Sequence, residues 1–150
     1  MAEVGFYHLT ATPLERALPQ LLERALAQGH RIVVMAGSDE RVAALDAALW
    51  SYSDASFLPH GTAQSGHAAR QPVFLTAADE NPNAATMLVL VDGAASQHLG
   101  EFKRVCDMFD GNDAEAVEAA RGRWRTAAAA GHTTAYWQQT AGGWEKRASG

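Results

Sequence analysis

The sequence predicts an α/β domain of three layers, in which helices pack on both sides of a mostly parallel central sheet. One observation is a pair of continuous apolar runs, at residues 31–36 and 87–91, of the kind found in strands that are buried on both faces. A second is that segments with apolar residues at helical spacing follow the first two predicted strands. Strand and helix therefore alternate, which is typical of right-handed βαβ units.

Length and composition indicate a single domain over residues 1–150. A chain of this length with 47% hydrophobic and 19% charged residues can bury a substantial core. Cys106 is the single cysteine, so an internal disulfide cannot form, which fits a reducing cytosol. No apolar run approaches the roughly 18 residues that cross a bilayer, and the first residues lack the pattern of a secretion signal. We therefore expect a cytoplasmic protein without membrane contacts.

The first predicted strand covers residues 6–9, and a helix follows it. Thr12 is expected to cap this helix, with Pro13 in the first helical position. Gly29 is expected to end it. Pro19 lies inside the helix and lacks the N–H that a helix interior uses, so we expect a late start or a kink there.

The second predicted helix follows the first buried strand. Ser38 or Asp39 is expected to cap it, and it reaches Trp50. Residues 56–59 predict a third short strand. Residues 60–71 show no periodicity and are predicted to form a long surface loop, which in a small domain is usually functional or mobile.

The second half of the chain continues the same alternation. Besides the buried run at 87–91, strands are predicted at 72–76, at 102–109 and at 132–139, and the last of these is followed by a glycine-rich turn. Residues 113–130 form the clearest predicted helix, since they are rich in alanine and carry acidic residues before basic ones.

The sequence shows no pattern of a catalytic or metal centre. None of the six histidines lies at zinc-site spacing from another His, Cys or carboxylate. No G-x-S-x-G nucleophile elbow is present. The net charge of −5 disfavours direct nucleic-acid binding, because the phosphate backbone repels an acidic molecule at long range. We therefore expect no catalytic residues, metal or cofactor, and nucleic-acid contact only through partners.

An alternative function is that of a small Rossmann-like enzyme or nucleotide-binding protein that uses the strand ends near Gly37 and Asp92. The turn at Gly37 follows a strand and opens a helix, but it lacks the glycine pattern of either common phosphate-binding loop. Asp39 and Glu40 at the start of that helix would repel a phosphate. They suit the helix dipole instead.

The most informative charged cluster lies in the predicted helix at 113–130. Arg121 and Arg125 are one helical turn apart, with Trp124 adjacent and Arg123 expected to point away. Two guanidinium groups beside an aromatic ring can bind a carboxylate. The competing interpretation is structural, because acidic residues precede these arginines as a helix dipole favours, and from the residues alone it is slightly preferred.

Aromatic residues also flank the turn after the second helix. Trp50 and Phe57 bracket this turn, and Pro59 and His60 follow it. Such residues either close a core or anchor a protein interface. On the residues alone, a core role is the favoured interpretation.

Several separated segments resemble the chi subunit of bacterial DNA polymerase III. The second predicted helix ends in Trp50, and an S-F-x-P-H strand follows it at 56–60. The other similar segments occur in the expected order, so the resemblance spans nearly the whole chain. They are residues 4–9, 88–91, 102–105, 120–125, 136–139 and 143–146.

The resemblance implies a Rossmann-like accessory subunit without activity of its own or a cofactor, which bridges two proteins. One partner is the psi subunit of the clamp loader, and the resemblance places Trp50, Phe57, Pro59 and His60 at that surface. The other partner is the acidic, phenylalanine-ended C-terminal tail of the single-stranded DNA-binding protein.

For this tail the resemblance implies that Arg121 binds the terminal carboxylate and ring, with Trp124 and Arg125 as further contacts. This implication favours a functional role for the arginine cluster over the structural one. Some chi sequences carry another basic residue one turn earlier, where this chain has Val117.

Overall fold

The computed structural model describes residues 2–52, 59–141 and 143–149. The elements within these residues alternate as the sequence predicts, with short 3-10 turns between some of them. They are β1 (Glu3–Leu9), α1 (Leu14–Ala27), β2 (Ile32–Met35), α2 (Asp39–Trp50), β3 (His60–Thr62), β4 (Val73–Thr76), β5 (Met87–Val91), β6 (Arg104–Asp110), α3 (Ala114–Ala129), β7 (Thr133–Thr140) and β8 (Gly143–Ser149).

The strands form one sheet in the order β3-β4-β2-β5-β6-β1-β7-β8. Every neighbouring pair is parallel except β7 and β8, which form an antiparallel hairpin. Helices α1 and α2 pack on one face of the sheet, and α3 packs on the other. The prediction of a three-layer α/β fold with a mostly parallel sheet is therefore confirmed.

Side-chain alternation along the central strands divides the core into two halves. On β1, Tyr7 and Leu9 face α1, whereas Val4 and Phe6 face α3. The same period of two holds along β5 and β6, because successive residues of a strand point to opposite faces.

The start of α1 differs from the prediction. Pro13, rather than Thr12, is the residue before the helix, and its carbonyl oxygen accepts hydrogen bonds from the amides of Arg16 and Ala17. Thr12 instead donates its amide to Gln139. Pro19 lies within the helix, which begins five residues before it, so the expected late start is wrong. The buried apolar face of α1 compensates for the missing backbone hydrogen bond.

The second predicted cap is confirmed, because the Ser38 side chain accepts a hydrogen bond from the amide of Arg41. Residues 60–71 are not wholly a surface loop. The buried strand His60–Thr62 pairs with β4, and two 3-10 turns follow it. This strand has only three residues, with a glycine in the centre, so it lacks the alternation of apolar and polar residues by which strands are predicted. The strand β8 was also not predicted from the sequence.

In the part of the chain that the structure describes, no helix is both long enough and apolar enough to cross a membrane.

Candidate functional site

Helix α3 presents the predicted arginines on the sheet face opposite α1. Asp113 caps it, with its carboxylate accepting hydrogen bonds from two amides of the first turn. Arg121 and Arg125 are both exposed. The Arg121 side chain is 61% exposed, and its guanidinium lies 3.4 Å from Glu118 in an equally open ion pair. Such surface pairs contribute little, so Glu118 does not prevent Arg121 from binding another carboxylate.

Arg123 points away from the exposed face that carries Arg121 and Arg125, as the helical spacing predicts, and it points into the protein. Its guanidinium reaches the sheet and donates two hydrogen bonds to Asp107 of β6, at 2.6 and 3.1 Å. Asp107 is only 2% exposed, and burial raises its pKa against the opposing effect of Arg123. Arg123 is therefore the inward arginine of the cluster, and it neutralises a buried carboxylate.

Trp124 belongs to a continuous group of rings on the same face, which we call the aromatic cluster: Phe6, His8, Phe109, Trp124 and Tyr136. Its ring contacts Phe6 at 5.4 Å and Tyr136 at 6.2 Å between centroids. Tyr136 in turn lies 6.0 Å from Phe109 and 5.8 Å from His8. Trp124 is thus part of a partly open apolar surface rather than an isolated ring on the helix.

The polar atoms of the aromatic cluster are linked to each other. The Nδ1 atom of His8 lies 2.5 Å from the Tyr136 hydroxyl oxygen. Burial lowers the pKa of His8, and the charge of Arg121 lowers it further, against opposing contributions from Gly111 and Asp110. Burial raises the pKa of Tyr136, and Arg121 opposes that rise. The Arg121 charge is therefore close enough to influence both groups electrostatically.

This arrangement can hold a chain terminus that has both a ring and a carboxylate. The aromatic cluster offers apolar contact, and Arg121 offers a planar, exposed donor group at its border. Arg125, one turn further along α3, adds a second positive charge. A site of this kind needs only local positive charge, which is compatible with a molecule of net charge −5.

The second predicted surface lies at the end of α2. The Trp50 side chain is 60% exposed, so its predicted core role is wrong. Its ring contacts that of His60 at 4.9 Å between centroids, and the His60 Nε2 atom lies 3.1 Å from the Asp46 carboxylate. The structure brings Trp50 and His60 together and places Pro59 directly before β3. Phe57 lies outside the described residues.

A cavity of about 740 Å³ opens where the carboxyl ends of β1, β5 and β6 meet. Asp92 lines it, as the nucleotide-binding alternative requires, but the Asp92 carboxylate pairs with Arg41 at 2.5 Å. Arg41 also pairs with Glu15 at 2.7 Å. Among the described residues, the lining contains further acids and one other arginine, Arg123, which pairs with Asp107. This chemistry does not suit a phosphate group.

Sequence analysis identified the arginines but missed His8, Phe109 and Tyr136. Each of these residues alternates with core residues along its strand, so nothing in the local pattern separates it from the core. His8 and Tyr136 are 128 positions apart and meet because β7 pairs with β1. The sequence does place aromatic residues at positions that share one face of β1, β6 and β7. They can be recognised as one cluster only when the order of these strands in the sheet is known.

A protein-family model described as DNA polymerase III chi subunit, HolC, matches residues 1–135 of the chain. A probable DNA polymerase III subunit chi from Rickettsia prowazekii is 26% identical over 117 residues, which cover 73% of this chain and 71% of the relative. DNA polymerase III subunit chi from Pseudomonas aeruginosa is 28% identical over 128 residues, which cover 83% of this chain and 88% of the relative. Residues 136–140 of β7 and all of β8 lie beyond the residues that the family model matches.

Proposed function

Because this chain belongs to the DNA polymerase III chi subunit family, we propose that it joins two protein partners of the replication machinery and catalyses no reaction of its own. The proposed partners are the psi subunit of the clamp loader and the acidic C-terminal tail of the single-stranded DNA-binding protein. Contact with DNA is then indirect, in keeping with the net charge of −5. No cofactor takes part.

The observation that carries the tail-binding half of this proposal is the position of Arg121 at the border of the aromatic cluster. The terminal carboxylate of the tail pairs with the Arg121 guanidinium, and the terminal phenylalanine ring lies against Tyr136 and its neighbours. Arg125 attracts the preceding aspartates. Trp124 supports the surface through its contacts with Phe6 and Tyr136.

Replacing Arg121 with alanine is expected to weaken binding of a peptide ending in Asp-Asp-Asp-Ile-Pro-Phe by at least about tenfold. A hydrogen bond to a charged group contributes about 1.5–3 kcal/mol, and about 1.4 kcal/mol corresponds to a factor of ten. Fluorescence anisotropy with a labelled peptide measures the affinity. A peptide with an amidated C-terminus should also bind the parent protein weakly, and the variant should distinguish the two peptides much less.

The matched control is Arg16→Ala, which removes one exposed positive charge from α1 on the other side of the sheet. It should leave the affinity nearly unchanged. A second readout is the pKa of His8, followed by NMR. Removal of the Arg121 charge should raise this pKa, and bound tail carboxylates should raise it in the parent. Equal loss of affinity in both variants, or a His8 pKa indifferent to peptide, would contradict the assignment.

The psi-binding half of the proposal rests on the exposure of Trp50. The Trp50 indole contacts the His60 ring and is mostly exposed to solvent. Exposed tryptophans of this kind often anchor protein interfaces. Its support is rigid, because His60 lies in the paired strand β3 and beside Asp46. We propose that Trp50, Phe57, Pro59 and His60 contact the psi subunit.

Replacing Trp50 with alanine is expected to weaken binding to the psi subunit by about tenfold or more, since interface tryptophans are often dominant contacts. The melting temperature should change little because the side chain is largely exposed. Isothermal titration with purified psi subunit measures the affinity. Glu40→Ala, an exposed change at the other end of α2, is the control. Unchanged psi affinity in the folded Trp50 variant would rule out this surface.

A further inference from the structure

A second charged cavity lies on the opposite face of the sheet, between α1, β1, β6 and the β7–β8 hairpin. It has a volume of about 80 Å³. Two arginines, Arg24 of α1 and Arg104 of β6, line it together with three glutamines and two aromatic side chains, Tyr7 and Trp144. No aspartate or glutamate is among the described residues of its lining. Such a lining is unexpected in an acidic protein.

The most informative residue of this cavity is Arg104. Its side chain is partly buried, and its guanidinium donates a hydrogen bond of 2.9 Å to the Tyr7 hydroxyl. Within residues 2–52, 59–141 and 143–149, no carboxylate lies within ion-pair distance of it. Burying a charge is costly unless an opposite charge accompanies it, and a guanidinium has five N–H donors to satisfy. Arg104 therefore has no carboxylate partner among these residues.

The neighbours of Arg104 do not supply the missing negative charge. Burial raises the pKa of Tyr7 to about 12, so its hydroxyl remains protonated at neutral pH. Burial also raises the pKa of the Cys106 thiol, which lies behind the same guanidinium. Both groups act as neutral hydrogen-bonding partners. Among the residues that the structure describes, neither neighbour therefore offsets the charge of Arg104.

The other walls are suited to a small polar ligand. Gln20 of α1 and Gln28, the residue directly after it, bring amide groups, and Arg24 brings a second cation from the last turn of the helix. The Trp144 ring meets that of Tyr7 edge-on at 5.2 Å between centroids. This indole comes from β8, outside the residues that the family model matches, so one wall is built by a segment beyond that match.

We propose that this cavity binds one oxyanion group, a carboxylate or a phosphate, of a small molecule, with Arg104 as its principal partner and Arg24 as a second. The volume of about 80 Å³ accommodates a group of that size and little more. Planar donors on Arg104 match either anion, because guanidinium groups bind both in a bidentate manner. This site is separate from the aromatic cluster and from the Trp50 surface, and the inference does not depend on the proposed function.

The test compares inorganic phosphate and acetate, each added at equal ionic strength against sodium chloride, with the full chain. At least one of them should raise the melting temperature and shift the indole NMR signal of Trp144, since a ligand of the native state stabilises it. Response to one anion identifies the source, and response to both shows a general oxyanion site. No response to either would overturn the proposal.

Arg104→Met supplies the decisive variant, because methionine keeps much of the volume and removes the charge. Its affinity for the responding anion should fall at least tenfold. The unliganded variant should lose little stability, because removal of a partly buried cation that has no carboxylate partner among the described residues offsets the loss of its hydrogen bond to Tyr7. Arg24→Gln should cause a smaller loss. An equal anion response in Arg104→Met would show non-specific salt stabilisation and would contradict the site.

Discussion

Replacing Arg123 with alanine is expected to lower the free energy of unfolding by about 3–5 kcal/mol, the usual cost of breaking a buried ion pair by removing one partner. Asp107 is 2% exposed, and its carboxylate accepts two hydrogen bonds from the Arg123 guanidinium. Without the guanidinium, this carboxylate is left charged in a poorly solvated position. Chemical denaturation at pH 7 measures the change.

The matched control for Arg123→Ala is Arg125→Ala, which removes an exposed arginine from the same helix and should cost less than about 0.5 kcal/mol. The deficit should also depend on pH. Burial already raises the pKa of Asp107 in the parent, and loss of Arg123 should raise it further. The deficit should therefore be smallest at low pH, where Asp107 is protonated in both folded proteins, should grow as the pH rises through the parent's raised pKa, and should be complete above the variant's. A deficit that is independent of pH would contradict the ion-pair explanation.

A second large effect is expected from Gly111→Ala, which should destabilise the fold by about 3 kcal/mol, the upper part of the usual range for overpacking. Gly111 follows β6, and the Gly111 amide donates a hydrogen bond of 2.7 Å to the carbonyl oxygen of Leu9. A β-carbon at this position would collide with the His8 ring and lie 2.7 Å from that same carbonyl oxygen. The backbone cannot move away without losing the hydrogen bond.

The control is Gly100→Ala, because a β-carbon there meets no atom within 4 Å. Since His8 belongs to the aromatic cluster, Gly111→Ala should also reduce affinity for the acidic peptide in whatever fraction remains folded, whereas Gly100→Ala should not. Thermal unfolding and anisotropy measure the two effects. Equal stability of the two alanine variants would show that the turn at Gly111 has more room than the structure indicates.

Much of the fold was predictable because its central strands are continuous apolar runs. β2 and β5 are buried on both faces, and no other local structure accounts for such segments as well. β3 and β8 escaped prediction for opposite reasons. The first is three residues long with a central glycine, and the second is an edge strand whose residues are mostly exposed. Neither has the alternation or the apolar run by which strands are recognised.

The candidate site was predictable only where charge marked it. The arginines of α3 were identified because they cluster, and helical spacing separated Arg123 from the other two, but spacing alone could not show that Arg123 turns into the protein. Arg123 does so because Asp107, on the adjacent β6, needs a counter-charge, and that requirement is visible only once the strand is placed. The rings of the aromatic cluster come from distant parts of the chain. Their proximity follows from the order β6-β1-β7, which local periodicity does not determine.

The position of β1 has a consequence for biosynthesis. This strand is made before the other described strands, yet its two neighbours in the sheet are β6 and β7, which begin about 100 and 130 residues later. On the ribosome, β1 can therefore form its backbone hydrogen bonds on both sides only after about residue 138 has emerged. Contacts between residues so far apart in sequence form slowly. The emerging chain thus carries an unpaired apolar segment for most of its synthesis, which is the condition under which chaperones bind.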